Sequence, residues 1–227
     1  KQVLLRCYFP VDVHTDEATY EIQYGNVTRP THYNTSWDFA RFEVCAHKWI
    51  DISENGYGIS VLNDCKYGCD IHNGEIGLTM LKSAVYPNPD ADKEHHSFTW
   101  SIAPHEGGWR EGNTVAKAYV LNNPYQTAVK ENEGGNLPAS YSFVQTDKEN
   151  VVIEAVKKAE DSDAVIVRLY ECYNRRGQTT LTFPRPVKRA VICNMLEEET
   201  GEVLNVNGSQ VELELKPYEI ETVKVEF

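Results

Sequence analysis

The sequence predicts an all-β protein, an antiparallel β-sandwich followed by a small terminal β-sandwich, with one short helix. Three observations carry this. Short runs alternating apolar and polar residues recur along most of the chain, which is the period of half-buried strands. From Tyr141 onward seven such runs follow one another at intervals near ten residues, the spacing of a small sandwich. The segments between those runs are too short to hold the helices that a parallel α/β sheet requires. With 227 residues, 41% of them apolar, the chain can bury one large β domain or two smaller ones.

Strand candidates open the chain at Val3–Phe9 and Ala18–Tyr24. Asn26 to Trp37, rich in Thr, Asn, Pro and His, reads as a long irregular loop, and loops of that length are often functional. A strand from Phe42 would set Phe42, Val44 and Ala46 on one face and Glu43, Cys45, His47 and Trp49 on the other. Glu54-Asn55-Gly56 is a turn signal, followed by the strand Tyr57–Leu62. Glu75–Leu81 and the run Phe98, Trp100, Ile102 continue the alternation, with a Pro-broken loop at Ala84–Asp92 between them. Gly107–Leu121 alone has helical spacing, with Val115, Ala118, Tyr119 and Leu121 on one face. Asn122 and Pro124 stop it. Pro124–Ala139 is poor in large apolar residues and carries Gly134-Gly135, so it reads as a linker. The strand runs Tyr141–Gln145, Val151–Lys157, Ala164–Cys172, Gln178–Phe183, Lys188–Leu196, Gln210–Leu215 and Glu219–Phe227 follow. The expected domains are therefore 1–135 and 136–227.

A net charge of -12 argues against nucleic acid, whose recognition rests on clustered Lys and Arg. No apolar run approaches the roughly 20 residues of a membrane helix, and no signal-peptide pattern opens the chain. The chain starts without Met and almost at once in strand-like sequence, so it is expected to be a piece of something longer. Six cysteines lack the close spacing of a disulfide scaffold or a second pair for zinc. They read as reduced thiols, which points to the cytoplasm. Asn26-Val-Thr, Asn34-Thr-Ser and Asn207-Gly-Ser match the glycosylation triplet and read as chance matches.

Ser36–Gly68 is the chemically densest stretch. Its last six residues, Asn63-Asp-Cys-Lys-Tyr-Gly68, bring amide, carboxylate, ammonium and phenol to a strand end. They suit the lining of a sugar site, and equally a plain Asn/Asp/Gly turn. Asp92 and His96 are a candidate for a metal or a sugar hydroxyl, or for a structural role. Glu197–Glu199 and Asp161–Asp163 read as solvated faces. No G-x-S-x-G, H-E-x-x-H, P-loop or dinucleotide glycine pattern occurs.

Several longer stretches carry a resemblance. In chain order they are Tyr20-Glu-Ile-Gln-Tyr-Gly-Asn-Val27, Arg29-Pro-Thr-His32, Asn34-Thr-Ser-Trp-Asp38, Ala40-Arg-Phe-Glu-Val-Cys-Ala-His-Lys-Trp49 and Leu62-Asn-Asp-Cys-Lys-Tyr-Gly68. Ala91-Asp92, His96-x-Phe98-Thr99, Pro104-His105, Trp109-Arg110-Glu111, Arg168-Leu-Tyr-Glu171 and Leu215-Lys-Pro-Tyr-Glu-Ile-Glu-Thr222 continue the series. Together they resemble the C-terminal part of α-mannosidases of glycoside hydrolase family 38, in the cytosolic, vacuolar and bacterial branch. Glu94 and Lys82 depart from that pattern, which has Gly and Arg there.

The resemblance implies the later part of a large mutarotase-like supersandwich plus a small terminal sandwich. It implies a parent enzyme that is a retaining, zinc-dependent α-mannosidase acting on mannose-containing oligosaccharides. The nucleophile and the zinc ligands belong to an N-terminal barrel, so no catalytic or metal residue is carried over and the isolated chain is expected to be inactive. The missing barrel and helical domains are expected partners, and exposed apolar surface is expected to make the fragment self-associate. On the substrate side the candidates are Asn63, Asp64, Lys66 and Tyr67, then Trp37, Asp38, Arg41, His32 and His47. These either line the sugar site or hold sandwich to barrel. Two alternatives stay open: a non-catalytic carbohydrate-binding module, and an aldose-epimerase-like enzyme using His47 and Glu43.

Overall fold

A computed structural model describes residues 2–129, 134–136 and 138–227. The chain divides into two compact units, Lys1–Ala128 and Val129–Phe227. Of the expected linker at Pro124–Ala139, residues 130–133 and 137 lie outside the described residues.

The first unit runs β1 (Val3–Pro10), β2 (Glu17–Ile22), β3 (Gly25–Pro30), α1 (Ser36–Phe39), β4 (Val44–Cys45), β5 (Trp49–Glu54), β6 (Tyr57–Asn63), β7 (Gly68–His72), β8 (Glu75–Ser83), β9 (Trp100–His105) and α2 (Thr114–Asn122). The strands form two antiparallel sheets, β1-β8-β7-β4 and β3-β2-β5-β6-β9. Tyr20, Ile50, Ile52, Ile59 and Val61 of one sheet pack with Cys69, Ile71, Ile76, Leu78 and Met80 of the other in a single core. Each fully buried aliphatic side chain there contributes about 1.5–3 kcal/mol. The hairpin between β7 and β8 turns on Asn73-Gly74, both at positive φ (50° and 71°). That is the backbone of a type I′ turn, which Asn-Gly favours.

The second unit runs β10 (Gln145–Thr146), β11 (Val151–Lys158), β12 (Val165–Glu171), β13 (Gly177–Thr182), β14 (Arg189–Cys193), β15 (Glu199–Val203), β16 (Asn205–Asn207), β17 (Gln210–Leu215) and β18 (Ile220–Glu226). Its sheets are β10-β13-β17-β16 and β11-β12-β18-β14-β15. Val167, Leu169, Val223 and Val225 face Leu181, Val211, Leu213 and Leu215 across the core. Both units are therefore antiparallel β-sandwiches, as the alternation predicts.

Four local readings are corrected. The stretch expected to be loop begins with β3, which closes a hairpin on β2 from Ile22↔Gly25 to Glu17↔Pro30. The described residues hold two helices rather than one, because Ser36–Phe39 closes a single turn under a capping box. There the Thr35 side chain accepts from Asp38 N at 3.1 Å, and Thr35 N donates to Asp38 Oδ2 at 3.1 Å. The other helix starts at Thr114 rather than Gly107, since Gly107 and Asn113 both have positive φ (65° and 51°) and the segment between them turns. Finally, Glu197 is 8% exposed rather than solvated. Its carboxylate accepts from Lys157 Nζ at 2.6 Å and Glu160 N at 2.9 Å.

The strand expected from Phe42 to Trp49 is broken. Only Val44–Cys45 pairs in one sheet, and β5 begins in the other. The break is held by Glu21, whose carbonyl accepts from His47 N at 3.2 Å and whose Oε2 accepts from Lys48 N at 2.5 Å. Lys48 Nζ reaches Glu21 Oε1 at 2.9 Å. Trp49 consequently turns inward, 1% exposed, with its ring 5.1 Å from that of Trp109. Glu43 instead accepts from the Thr79 hydroxyl, so the expected face shared by Glu43, His47 and Trp49 does not form.

Candidate functional site

The strand-end loop forms around Asn63, the last residue of β6. Asn63 is 3% exposed and bonded at both ends of its amide. Its Nδ2 donates to His47 O at 2.7 Å, and its Oδ1 accepts from Lys66 N at 2.6 Å. Its backbone N donates to Lys48 O at 3.0 Å, and its carbonyl accepts from Asn122 Nδ2 at 3.1 Å. Asn63 therefore shapes two chain segments, Ala46–Lys48 and Asp64–Tyr67, into one edge.

That edge presents the other candidates. Asp64 Oδ2 accepts from Thr99 N at 2.9 Å, and Asp64 N donates to Thr99 O at 3.1 Å. Burial opposes ionisation of Asp64, but hydrogen bonds from the Cys65 thiol and Thr99 outweigh it and hold the carboxyl below its ordinary range. Lys66 Nζ lies 5.0 Å over the Phe98 ring. Tyr67 is 46% exposed, with its ring 4.9 Å from that of His47. A phenol, an imidazole, an ammonium and a carboxylate kept ionised thus share one rim. Such a rim can stack on a pyranose face and hydrogen-bond its hydroxyls.

The remaining candidates gather on and beside α1. His32 Nδ1 lies 3.7 Å from Asp38 Oδ2, which also accepts from Thr35 Oγ1 at 2.7 Å. The Thr35 hydroxyl is the largest influence holding the Asp38 carboxyl low. Asp38 and Arg41 line a narrow cleft with Tyr20, Arg29, Tyr33 and Asp70, whose volume of about 10 Å³ has room for a single water. Trp37 stands 76% exposed. The structure thus brings Asn63, Asp64, Lys66, Tyr67 and His47 together and sets His32, Trp37, Asp38 and Arg41 in a second group. Asp92 and His96 do not present a ligand pair. His96 Nε2 is 3.1 Å from the Asp92 carbonyl, and the Asp92 carboxylate accepts from Lys82 N at 3.3 Å.

Sequence reasoning missed a buried polar cluster beneath α2. Asp51 Oδ2 accepts from Ser60 Oγ at 2.6 Å and meets His105 Nε2 at 2.7 Å, while Ser53 Oγ donates to Asp51 Oδ1. Ser60 Oγ also lies 2.6 Å from Thr114 Oγ1. The residue types are those of a catalytic triad, but the geometry is not. Ser60 and Asp51 share one imidazole nitrogen, and the serine is 0% exposed. The cluster is a structural knot. A polar Ser60 at an inward position of β6 was its one sequence signal.

Family comparisons agree with the sandwich pair. Residues 1–90 match the glycosyl hydrolases family 38 C-terminal domain, and residues 150–223 match the family 38 C-terminal beta sandwich domain. The two matches take in more than half of the chain, which belongs to the C-terminal region of glycosyl hydrolase family 38. Among its relatives is alpha-mannosidase G of Dictyostelium discoideum, 40% identical, matched over 97% of this chain and 21% of that protein. Human alpha-mannosidase 2C1 is 38% identical over 95% of this chain and 21% of its own length. An alpha-mannosidase from Enterococcus faecalis V583 shares the fold, with a TM-score of 0.80 at 19% identity over 97% of this chain and 25% of that one. The chain thus spans about a fifth of the length of the curated relatives it matches.

Proposed function

We propose that this chain is the C-terminal part of a retaining, zinc-dependent α-mannosidase that removes terminal α-mannose residues from oligosaccharides in the cytoplasm. The identity to two α-mannosidases over nearly the whole chain supports the reaction class. Within that reading, the His47 and Asp64–Tyr67 edge faces the sugar, with Tyr67 stacking on a ring and Asp64 and Lys66 meeting hydroxyls. The single observation carrying this is the edge itself: Asn63, buried and bonded at both ends of its amide to the backbone of His47 and Lys66, fixes the two segments that present His47 and the 46% exposed Tyr67 side by side.

Among the described residues no group of three or more His, Cys, Asp or Glu side chains could hold a metal ion. In this reading the metal and nucleophile sit on residues beyond these 227, and the chain packs against the barrel and helical domains that carry them. Residues 1–227 alone, given zinc and an aryl α-mannoside, are expected to show no turnover above background; measurable hydrolysis would overturn the assignment.

The apolar surface left open in the first unit fits the same account. Val3, Leu4, Leu5 and Tyr8 of β1 are 49–56% exposed, and Trp37, Phe39 and Phe42 around α1 are 63–76% exposed. Surfaces of this kind are normally covered. The isolated chain is therefore expected to self-associate, so light scattering should give an apparent mass above 25.8 kDa that rises with concentration. A constant monomer mass at high concentration would count against a covering partner.

A further inference from the structure

We propose that α2 is a strut that positions the Asn63–Tyr67 edge, and that His105, buried at the far end of the helix, is the positioning residue that holds it there. The inference rests on the reading that this edge meets the sugar.

Helix α2 has nine residues, no side-chain bond at its N-cap Asn113 and no acidic residue in its first turn. A helix this short and uncapped is not stable by itself in water. It forms because it is pinned at both ends. At the N-terminal pin Thr114 Oγ1 meets Ser60 Oγ at 2.6 Å, and Ser60 donates to Asp51, which also holds His105. The His105 ring is boxed by two glycines. A Cβ on Gly58 would stand 2.3 Å from its Cε1, and one on Gly112 would stand 2.5 Å from its Cγ. At the C-terminal pin, about 12 Å along the helix, Asn122 Nδ2 donates to Asn63 O at 3.1 Å. One turn back, the Tyr119 ring lies 4.7 Å from Lys48 Nζ. Between the pins, Val115 and Ala118 are buried.

The load passes from there to the edge. Asn63 is the residue whose side chain holds both His47 and Lys66, and α2 grips its carbonyl. Loosening the N-terminal pin lets the helix fray, frees Asn122 and lets the 64–67 loop drift without touching any residue of that loop.

His105 also gives the strut a pH signature. The hydrogen bond to Asp51 raises its pKa above the ordinary histidine value, against the opposing effect of burial. Asp51 on β5 is the charged group facing the ring. Ser53 of β5, Ser60 and Gly58 of β6, Thr114 of α2, Gly112 and the backbone of Glu106 and Gly107 complete its surroundings. A histidine with a raised folded pKa contributes fully below its unfolded value and loses that contribution as pH rises through the folded one.

The test is hydrogen exchange on residues 1–227, read at the Lys66 amide and corrected for intrinsic rate. His105→Leu is expected to lower its protection at least tenfold, with β11–β18 unchanged and His105→Gln restoring part of the loss. The wild-type protection should fall on the alkaline side while that of His105→Leu stays flat. If His105→Leu does not fold, Thr114→Val and Asn122→Ala probe the two pins separately and should each expose Lys66. Unchanged Lys66 protection in these variants, with α2 amides exposed, would overturn the strut. In the longer enzyme the same variants are expected to raise KM for an aryl α-mannoside at least fivefold with kcat changed less. If Lys66 loosens and KM does not move, the strut stands and the sugar-facing reading of the edge fails.

Discussion

Glu171→Ala is expected to lower the stability of the second unit by about 3 kcal/mol while leaving that of the first unit unchanged. Glu171 is 1% exposed, and its carboxylate collects three donors. Asn150 Nδ2 and Tyr173 N reach Oε1 at 2.9 and 2.7 Å, and Tyr218 N reaches Oε2 at 3.1 Å. Tyr218 sits at φ 57°, a conformation costly for a bulky residue. The carboxylate thus fastens the Lys216–Glu219 turn onto the end of β12. Removing it leaves one buried and two part-buried donors without their acceptor, at about 1–3 kcal/mol for the buried one and less for the others, so about 3 kcal/mol in total. Against the 5–15 kcal/mol typical of a domain, that is a large fraction. Glu171→Gln keeps one acceptor oxygen and should lose about half as much. All four tryptophans lie in the first unit, so the effect should appear in far-UV circular dichroism during urea unfolding and not in tryptophan emission. Coincident shifts in both signals would contradict the assignment of Glu171 to the second unit alone.

Asp51→Ala should do the reverse. Asp51 is 2% exposed and accepts from Ser53, Ser60 and His105, all of which lose their acceptor together. Breaking a buried charge-assisted set costs about 3–5 kcal/mol. For a unit of this size that lowers the melting midpoint by roughly 10 °C or more. Here tryptophan emission should report the loss, since the Trp49 and Trp109 rings pack against each other at a tilt beside this region, while the second unit keeps its own transition. A midpoint within about 2 °C of wild type, on the order of half a kcal/mol, would show that the knot adds nothing beyond packing.

The β-sandwich pairs were legible because alternation is a local signal. Val211, Leu213 and Leu215 of β17 announce their buried face in six residues, and Asn-Gly turns mark hairpin ends. The break after Cys45 was not legible, because the residue that makes it, Glu21, lies on another strand. The same holds for Glu197, whose burial depends on Lys157 across 40 positions. The polar strand end Asn63–Gly68 stood out by composition, but which member faces outward depends on Asn122 and His47. Sequence adjacency made Asn63 resemble its neighbours, whereas the structure makes it their support. The Asp51–Ser60–His105–Thr114 knot draws one residue from each of four elements, a grouping that no spacing rule detects.

The most direct measurement of the central claim is the steady-state kinetics of Tyr67→Ala in the longer α-mannosidase proposed to carry these residues. The account predicts a KM for an aryl α-mannoside raised about tenfold, corresponding to about 1.4 kcal/mol of lost stacking, with metal content and unfolding midpoint unchanged. Wild-type KM and kcat in that variant would contradict it and place the sugar elsewhere.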